Sequence, residues 1–278
     1  MSEQKPDDLV LHHIEDNVSY VTLNRPDKLN ALSGELRVRA QQVLTEADSV
    51  EETRVVVLQG AGRAFCVGYD IGTESPDFPG DPHDALQWRD MLQLCLDFEM
   101  TPWMMRKPVI ASVQGYALGA GCELAMLCDL TICSESAKFG EPEIRFSDTG
   151  PALIMPFIIG HKRAREMLYM GDMIDAQTAL ECDMVNRVVA DDDLQSATKS
   201  YAQRLALIDQ EALYSTKLAL RRGMEASGVG TAINAGADVL APMYAAKTKS
   251  GSKFEAITQR DGLAAALKWR RDQFKPLP

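Results

Sequence analysis

Long apolar runs, basic blocks and paired cysteines are all missing from this chain of 278 residues. The longest apolar stretches, such as ALIMPFII at 152–159, are far shorter than a bilayer span, so no membrane association is expected. No block of lysine or arginine exceeds two or three residues and the formal net charge is −11, the opposite of a nucleic-acid footprint, so no nucleic-acid partner is expected. The six cysteines, Cys66, Cys95, Cys122, Cys128, Cys133 and Cys182, form no Cys-x-x-Cys pair and sit among apolar neighbours, which reads as buried reduced thiols. The four histidines are scattered without ligand spacing, and no metal site is expected. The opening MSEQKPDDLV is polar and acidic where a secretory leader would be basic and then apolar, so a cytoplasmic protein is expected.

What is present suits one large domain, or a core with an appendage. Alternating VSYVTL (18–23) predicts a strand, NRPDKLNALS leads into a helix from about Ser33 to Asp48, and the β-branched run RVVVLQG (54–60) predicts a strand buried on both faces. GTESPDFPGDPHD (72–84), with three prolines and several acids, predicts a mobile surface loop. A helical pattern follows from Ala85 to about Met105. After it come a third strand in KPVIASVQG, a helix entered through glycine in GAGCELAMLC, a fourth strand in DLTICSE and a short extended piece in KFGEPE. The recurring strand, glycine-bearing turn and helix predict a mixed α/β architecture without a fixed-period sequence repeat. From Ala190 onward the patterns are helical with no strand between them. A boundary is placed near Ile208, with residues 1–208 as core and 209–278 as a C-terminal helical segment.

Two glycine-bearing turns follow strands, GAGRAFCVGYD and GYALGAG. Neither is a dinucleotide fingerprint: counting from Gly60 the last glycine position holds Phe65, and from Gly119 it holds Leu124. No Gly-x-Ser-x-Gly elbow and no Walker lysine motif occurs. Two readings of the glycines stand on local grounds. They permit tight turns and close packing, or they let a ligand approach backbone N–H groups able to hold an anion or a developing oxyanion. Glu123 lies one turn into a helix that continues LAMLC, so its carboxyl points toward sparsely solvated space, where burial raises its pKa. The alternative is an acid favoured at a helix N-terminus by the macrodipole. Glu143, in FGEPEIRF, and Glu141 beside it read by themselves as surface acids at a strand end.

NRPDKLNAL, GRAFCVGYDI, the long KPVIASVQGYALGAGCELAMLCDLTICSESAKFGEPEIRF and the late DGLAAALKWRRDQF occur in the order seen in the crotonase superfamily. The chain resembles its enoyl-CoA hydratase/isomerase family from about Leu9 to Phe274. The resemblance implies a spiral of stacked strand-strand-helix turns, a C-terminal helical segment that trimerises and covers the site, and a homotrimer or a homohexamer built as a pair of trimers. It implies an acyl-CoA thioester substrate and no cofactor, coenzyme A being part of the substrate. Two oxyanion-hole N–H groups fall on Tyr69 and Ala120, and the two carboxyls used by the family's hydratases fall on Glu123 and Glu143. Glu123 would position and activate water and Glu143 would exchange the proton at C2. Isomerases of the family usually keep only the second acid.

By the same resemblance Arg25, Lys28 and Arg63 are candidates for the coenzyme A phosphates, with solvated surface charges as the alternative. The backbone of Ala64, Phe65, Val67 and Gly68 should approach the adenine and pantetheine portions, and Asp70 and Gly119 belong to the same region. The chain also departs from the family pattern. Tyr69 stands where a small residue is common, Ala120 replaces a glycine, and IRFSDTGPALIMPFIIG after Glu143 lacks the family's PGxGGTQRLPR-like stretch. Asp148, in that loop, is either a third polar group at the site or a surface acid. The expected function is reversible syn hydration of a 2-enoyl-CoA to a 3-hydroxyacyl-CoA, a carbon–oxygen lyase reaction. The alternatives are double-bond isomerisation, another crotonase reaction such as hydrolysis or C–C cleavage, and acyl-CoA binding without catalysis.

Overall fold

The computed structural model describes residues 8–71 and 79–274; residues 72–78 of the loop expected to be mobile lie outside them. Val10–Glu15 (β1) and Val18–Leu23 (β2) form an antiparallel hairpin. It is joined at Asp16 and Asn17, both left-handed, as a two-residue turn matching the strand twist demands. Gly34–Ser49 (α1), capped by Ser33 Oγ accepting the Leu36 N–H, leads to Val55–Gly60 (β3), parallel to β2.

Three similar turns follow. In the first, β3 is succeeded by a segment that bridges at Cys66 to Ala117 and at Tyr69 to Leu32, then by Ala85–Glu99 (α2) and the short Thr101–Met104 (α3). The second has Val109–Val113 (β4), Tyr116–Leu118 (β5) and Ala120–Leu127 (α4). The third has Leu130–Ser134 (β6), Lys138–Gly140 (β7) and a single 3-10 turn over Pro142–Phe146. Met155–Ile159 (α5), His161–Met170 (α6), Ile174–Asp175 (β8), Ala176–Glu181 (α7) and Arg187–Val189 (β9) complete the sheets. The first strands of the turns join a six-stranded sheet of order β1-β2-β3-β4-β6-β9, and the second strands a smaller sheet of order β5-β7-β8. Beyond them run Leu194–Ala206 (α8), Gln210–Ala226 (α9), Val229–Ala246 (α10), Lys249–Asp261 (α11) and Leu263–Gln273 (α12). No helix among the described residues is long and apolar enough to cross a membrane.

The period of two explains the layers. In β3 and β4, Val56, Leu58, Val109, Ala111 and Val113 face the main core, whereas Val55, Val57 and Ile110 face a second cluster roofed by Leu194, Ala202 and Ala206 of α8. Ser112, on the α8 side, is buried and satisfied by Thr198 Oγ1 at 3.1 Å. The sequence pattern missed the shortest strands, since three residues such as Tyr116–Leu118 show no period. The helix expected from Ala85 to Met105 is interrupted at Met100, because Pro102, which lacks an N–H, opens a new turn. The extended piece expected in KFGEPE ends at Gly140 for the same reason, Pro142 starting the 3-10 turn.

One side chain holds the turn that follows β3. Asn30, buried and left-handed at φ 56°, accepts the Arg25 N–H and donates through Nδ2 to the carbonyls of Ala61, Ala64 and Phe65 at 2.8–3.1 Å. Asn30→Ala strips these buried carbonyls of their donor and leaves a strained backbone; urea denaturation should show a loss of about 3 kcal/mol. A loss within error of zero would mean that the turn is held elsewhere.

Candidate active site

The three turns end at one place. Leu32 donates its N–H to the Gly68 carbonyl at 2.9 Å and accepts the Asp70 N–H at 3.0 Å, so the intervening Tyr69 N–H points away from Leu32. Ala120 is the first residue of α4, where an N–H has no intrahelical partner. A Cβ on Gly68 (φ 84°) would lie 3.4 Å from Ala120 N and 3.5 Å from Glu143 Oε1; at Gly119 (φ 54°) it would fall 1.5 Å from the same oxygen. Only glycine therefore allows the Glu143 carboxyl to press against the α4 entry. Tyr69, Ala120, Glu143, Asp148 and Gly150 share the wall of a cavity of about 370 Å³ with Leu32, Trp88 and Tyr244.

Glu123 lies one turn after Ala120 and is buried, but it stands behind that wall rather than in it: a Cβ on Gly150 would come within 2.4 Å of its Oε2. It belongs to a gathering of five carboxyls. Glu99, Glu123 and Glu141 are buried outright, while Glu143 and Asp148 are half-buried. Among the described residues no lysine, arginine or histidine forms an ion pair with any of them. No group of three or more His, Cys, Asp or Glu there is arranged to hold a metal ion.

Burial pushes all five carboxyls upward. Glu123 and Glu141 lie well above the ordinary range, burial being the main cause and the charge of Glu99 adding for the first, that of Glu123 for the second. Glu143 is raised to about 8, by burial first and then by the Asp148 and Glu123 charges, against an opposing backbone hydrogen bond. Glu99 rises to about 7 by burial, opposed by hydrogen bonds from Glu123 and Tyr69. Asp148 also rises to about 7 by burial, opposed by the Thr149 N–H at 2.6 Å, and it accepts the Tyr244 hydroxyl. Such a site holds protons near neutral pH and can both give and take them.

The structure thus gathers Tyr69, Ala120, Glu143 and Asp148 in the cavity wall, with Gly68, Gly119 and Glu123 directly behind it. Asp70 lines the wall and pairs with Arg25 at 3.1 Å. Lys28 and Arg63 are exposed and Val67 is half-buried, all outside the wall. Ala64 and Phe65 are fully buried; both carbonyls accept Asn30 and the Phe65 N–H donates to Gln114 and Tyr116. The sequence reading missed Glu99, Trp88 and Tyr244. A signal for Glu99 existed, since Trp88, Leu92, Cys95 and Glu99 recur at helical spacing on the buried face of α2. Tyr69, which stands where a small residue is common, lines the cavity and sends its hydroxyl to Glu99 Oε1 at 2.6 Å.

A family model described as enoyl-CoA hydratase/isomerase matches residues 13–256. A crotonyl-CoA hydratase from Syntrophomonas wolfei is 30% identical over 264 residues, 94% of this chain and 95% of its own length. An (E)-benzylidenesuccinyl-CoA hydratase from Thauera aromatica is 34% identical over 216 residues, 76% of this chain and 82% of its own. The crystal structure of an enoyl-CoA hydratase/isomerase from Xanthobacter autotrophicus Py2 is similar with a TM-score of 0.91 at 33% identity, covering 96% of this chain and 99% of that one.

The raised carboxyls make stability depend on pH with a definite sign. Each binds its proton more tightly folded than unfolded, so the stability it lends is complete below the unfolded carboxylate range, about 4. That stability is lost as pH rises through the folded value, near 7 for Glu99 and Asp148 and near 8 for Glu143. Tm should fall between about pH 5 and about pH 8.5, and Glu143→Gln should flatten that fall. An equally steep fall in the variant would contradict a raised Glu143.

Proposed function

The chain belongs to the enoyl-CoA hydratase/isomerase family, and from that premise we propose that it hydrates a 2-enoyl-CoA thioester. The observation that carries the proposal is the pair of acids at one cavity, Glu143 in its wall and Glu123 separated from it by a glycine alone. A pure acyl-CoA binder needs neither.

In this reading the thioester oxygen lies between the N–H groups of Tyr69 and Ala120. As water attacks C3, charge develops on that oxygen, and each donor aimed at it lowers the barrier by roughly 3 kcal/mol. Glu123 takes the proton that water loses and Glu143 supplies the one that C2 gains. The reaction balances with water and thioester alone and moves no electrons to an acceptor, so it calls for no redox cofactor. Lys28 and Arg63, both exposed, are proposed to meet the coenzyme A phosphates. A homotrimer, or a pair of trimers, is part of the same proposal, and the exposed Leu220 of α9 and Val239 of α10 are apolar surface that association would cover.

One observation favours isomerisation instead: Glu143 alone of the two acids reaches the wall. Following the conjugated-thioester absorbance decides between them. Loss of absorbance from a 2-enoyl-CoA marks hydration, and its appearance from a 3-enoyl-CoA marks isomerisation. Glu123→Gln and Glu143→Gln should each lower kcat for hydration by about 100-fold or more while leaving coenzyme A affinity nearly intact. Full activity in both variants would overturn the assigned roles.

A further inference from the structure

The proposed reaction uses Glu123 and Glu143, yet a third acid is tied to one of them. Glu99, the last residue of α2, is fully buried. Its Oε1 accepts the Tyr69 hydroxyl at 2.6 Å, and its carboxyl lies within hydrogen-bonding reach of that of Glu123. Two carboxylates buried this close repel each other unless a proton lies between them, so the pair holds at least one. Apart from that shared proton, Oε2 of Glu99 and Oε2 of Glu123 have no donor among the described residues. The phenol decides where the proton rests. A hydroxyl donating to Glu99 stabilises negative charge there, so Glu99 is the better anion and Glu123 keeps the hydrogen.

The surroundings agree. Cys95 of α2 lies beside the Tyr69 hydroxyl, Glu143 faces Glu99, and Asp148, Glu141 and the Ala152 N–H face Glu123. Among the described residues no cation forms an ion pair with Glu99 or Glu123 that would draw the pair into full ionisation.

We propose that Glu99 is a positioning residue that acts through Glu123: anchored by the Tyr69 hydroxyl, it fixes the Glu123 carboxyl behind Gly150 and is the internal acceptor for its proton. The role of Glu123 rests on the hydratase reading; the pairing does not. Before Glu123 can accept a proton from water its own O–H bond must break. The proton passes to Glu99, leaving Glu123 ionised and the charge of the pair unchanged. An O–H bond of water then breaks toward Glu123 as its oxygen bonds to C3, and C2 takes a proton from Glu143. The pair ends with two protons and Glu143 with none; one proton returning to Glu143 through the water of the cavity closes the cycle.

Glu99→Gln keeps the volume and the Tyr69 bond, turns an N–H toward Glu123 and cannot take its proton. Glu123 should then stay ionised to lower pH. The readout, taken without substrate, is the infrared carbonyl band of protonated carboxyls, the Glu123 contribution being assigned by its absence in Glu123→Gln. In Glu99→Gln that band should vanish at a pH at least about one unit lower than in the wild type, and the acid limb of kcat/KM should move the same way. Tyr69→Phe keeps the main-chain N–H but no longer steadies the charge on Glu99, so it should shift the shared proton toward Glu99 and weaken the Glu123 band at neutral pH, and it serves where Glu99→Gln does not fold. Adding Glu99→Gln to Glu123→Gln should cost no further activity. In Glu99→Gln an unmoved band or an upward shift, in Tyr69→Phe an unweakened Glu123 band, or in the double variant a further tenfold loss overturns the pairing. A wild-type protein inactive on every enoyl-CoA overturns the hydratase reading and leaves the infrared test standing.

Discussion

Parallel pairing between the second strands of successive turns is the constraint on which the site depends. Cys66 bridges to Ala117 and Ala117 pairs with Phe139, so three segments of distant sequence run in step. Three residues beyond Cys66 stands Tyr69, three beyond Ala117 stands Ala120, and four beyond Phe139 stands Glu143. Their proximity is a consequence of register. A slip of one residue would turn every side chain of a strand to its opposite face and pull these groups apart. The glycines serve this alignment, because Gly68 and Gly119 take left-handed conformations at the point where three backbones and a carboxyl converge.

The second constraint is electrostatic. A chain with net charge −11 gathers five carboxyls around one cavity and turns its nearby cations elsewhere, Arg25 to Asp70 and the cavity-lining Arg37 to the Leu94 carbonyl. An unpaired ionised carboxylate in such surroundings is costly, and protons relieve that cost where lysine or arginine would otherwise have to. The difference matters for chemistry. A carboxylate locked to a guanidinium is a poor acid and a weak base, whereas carboxyls balanced by protons exchange them near neutral pH. The lack of ion pairs to these carboxyls among the described residues therefore leaves them suited to the proton transfers proposed above.

Some of this was legible in the sequence and some was not, for physical reasons. Val55–Gly60 and Val109–Val113 announce themselves because strands buried on both faces need unbroken apolar runs. Glu123 stands out because a charge among GAGCELAMLC has nowhere wet to point. Glu143 acquired meaning only from its resemblance to relatives, since a strand-end acid looks the same on any surface. Glu99 hides at the end of an ordinary amphipathic helix; its spacing from Trp88, Leu92 and Cys95 marks burial, but its partners come from other turns. Lys28 and Arg63 show the reverse limit, because an exposed cation carries no sign in sequence or fold of what it meets.

The C-terminal helices explain why the cavity has a wall on its outer side. Tyr244 of α10 stacks on Trp88 of α2 with ring centroids 4.8 Å apart, and its hydroxyl donates to Asp148. Arg89 joins Asp238 across the same two helices at 2.5 Å. A half-buried tyrosine stacked this way needs a partner for its hydroxyl, and a half-buried aspartate needs a donor; each supplies what the other lacks. The wall facing the acids is thus drawn from α2, from the loop after Glu143 and from α10, far apart in sequence and outside the long central motif. The groups proposed to react lie within a register that tolerates little change, whereas the wall opposite them is assembled from separate elements, each free to change without disturbing that register. The shape of that wall can therefore change at positions such as Trp88 and Tyr244 while the register of the turns is kept.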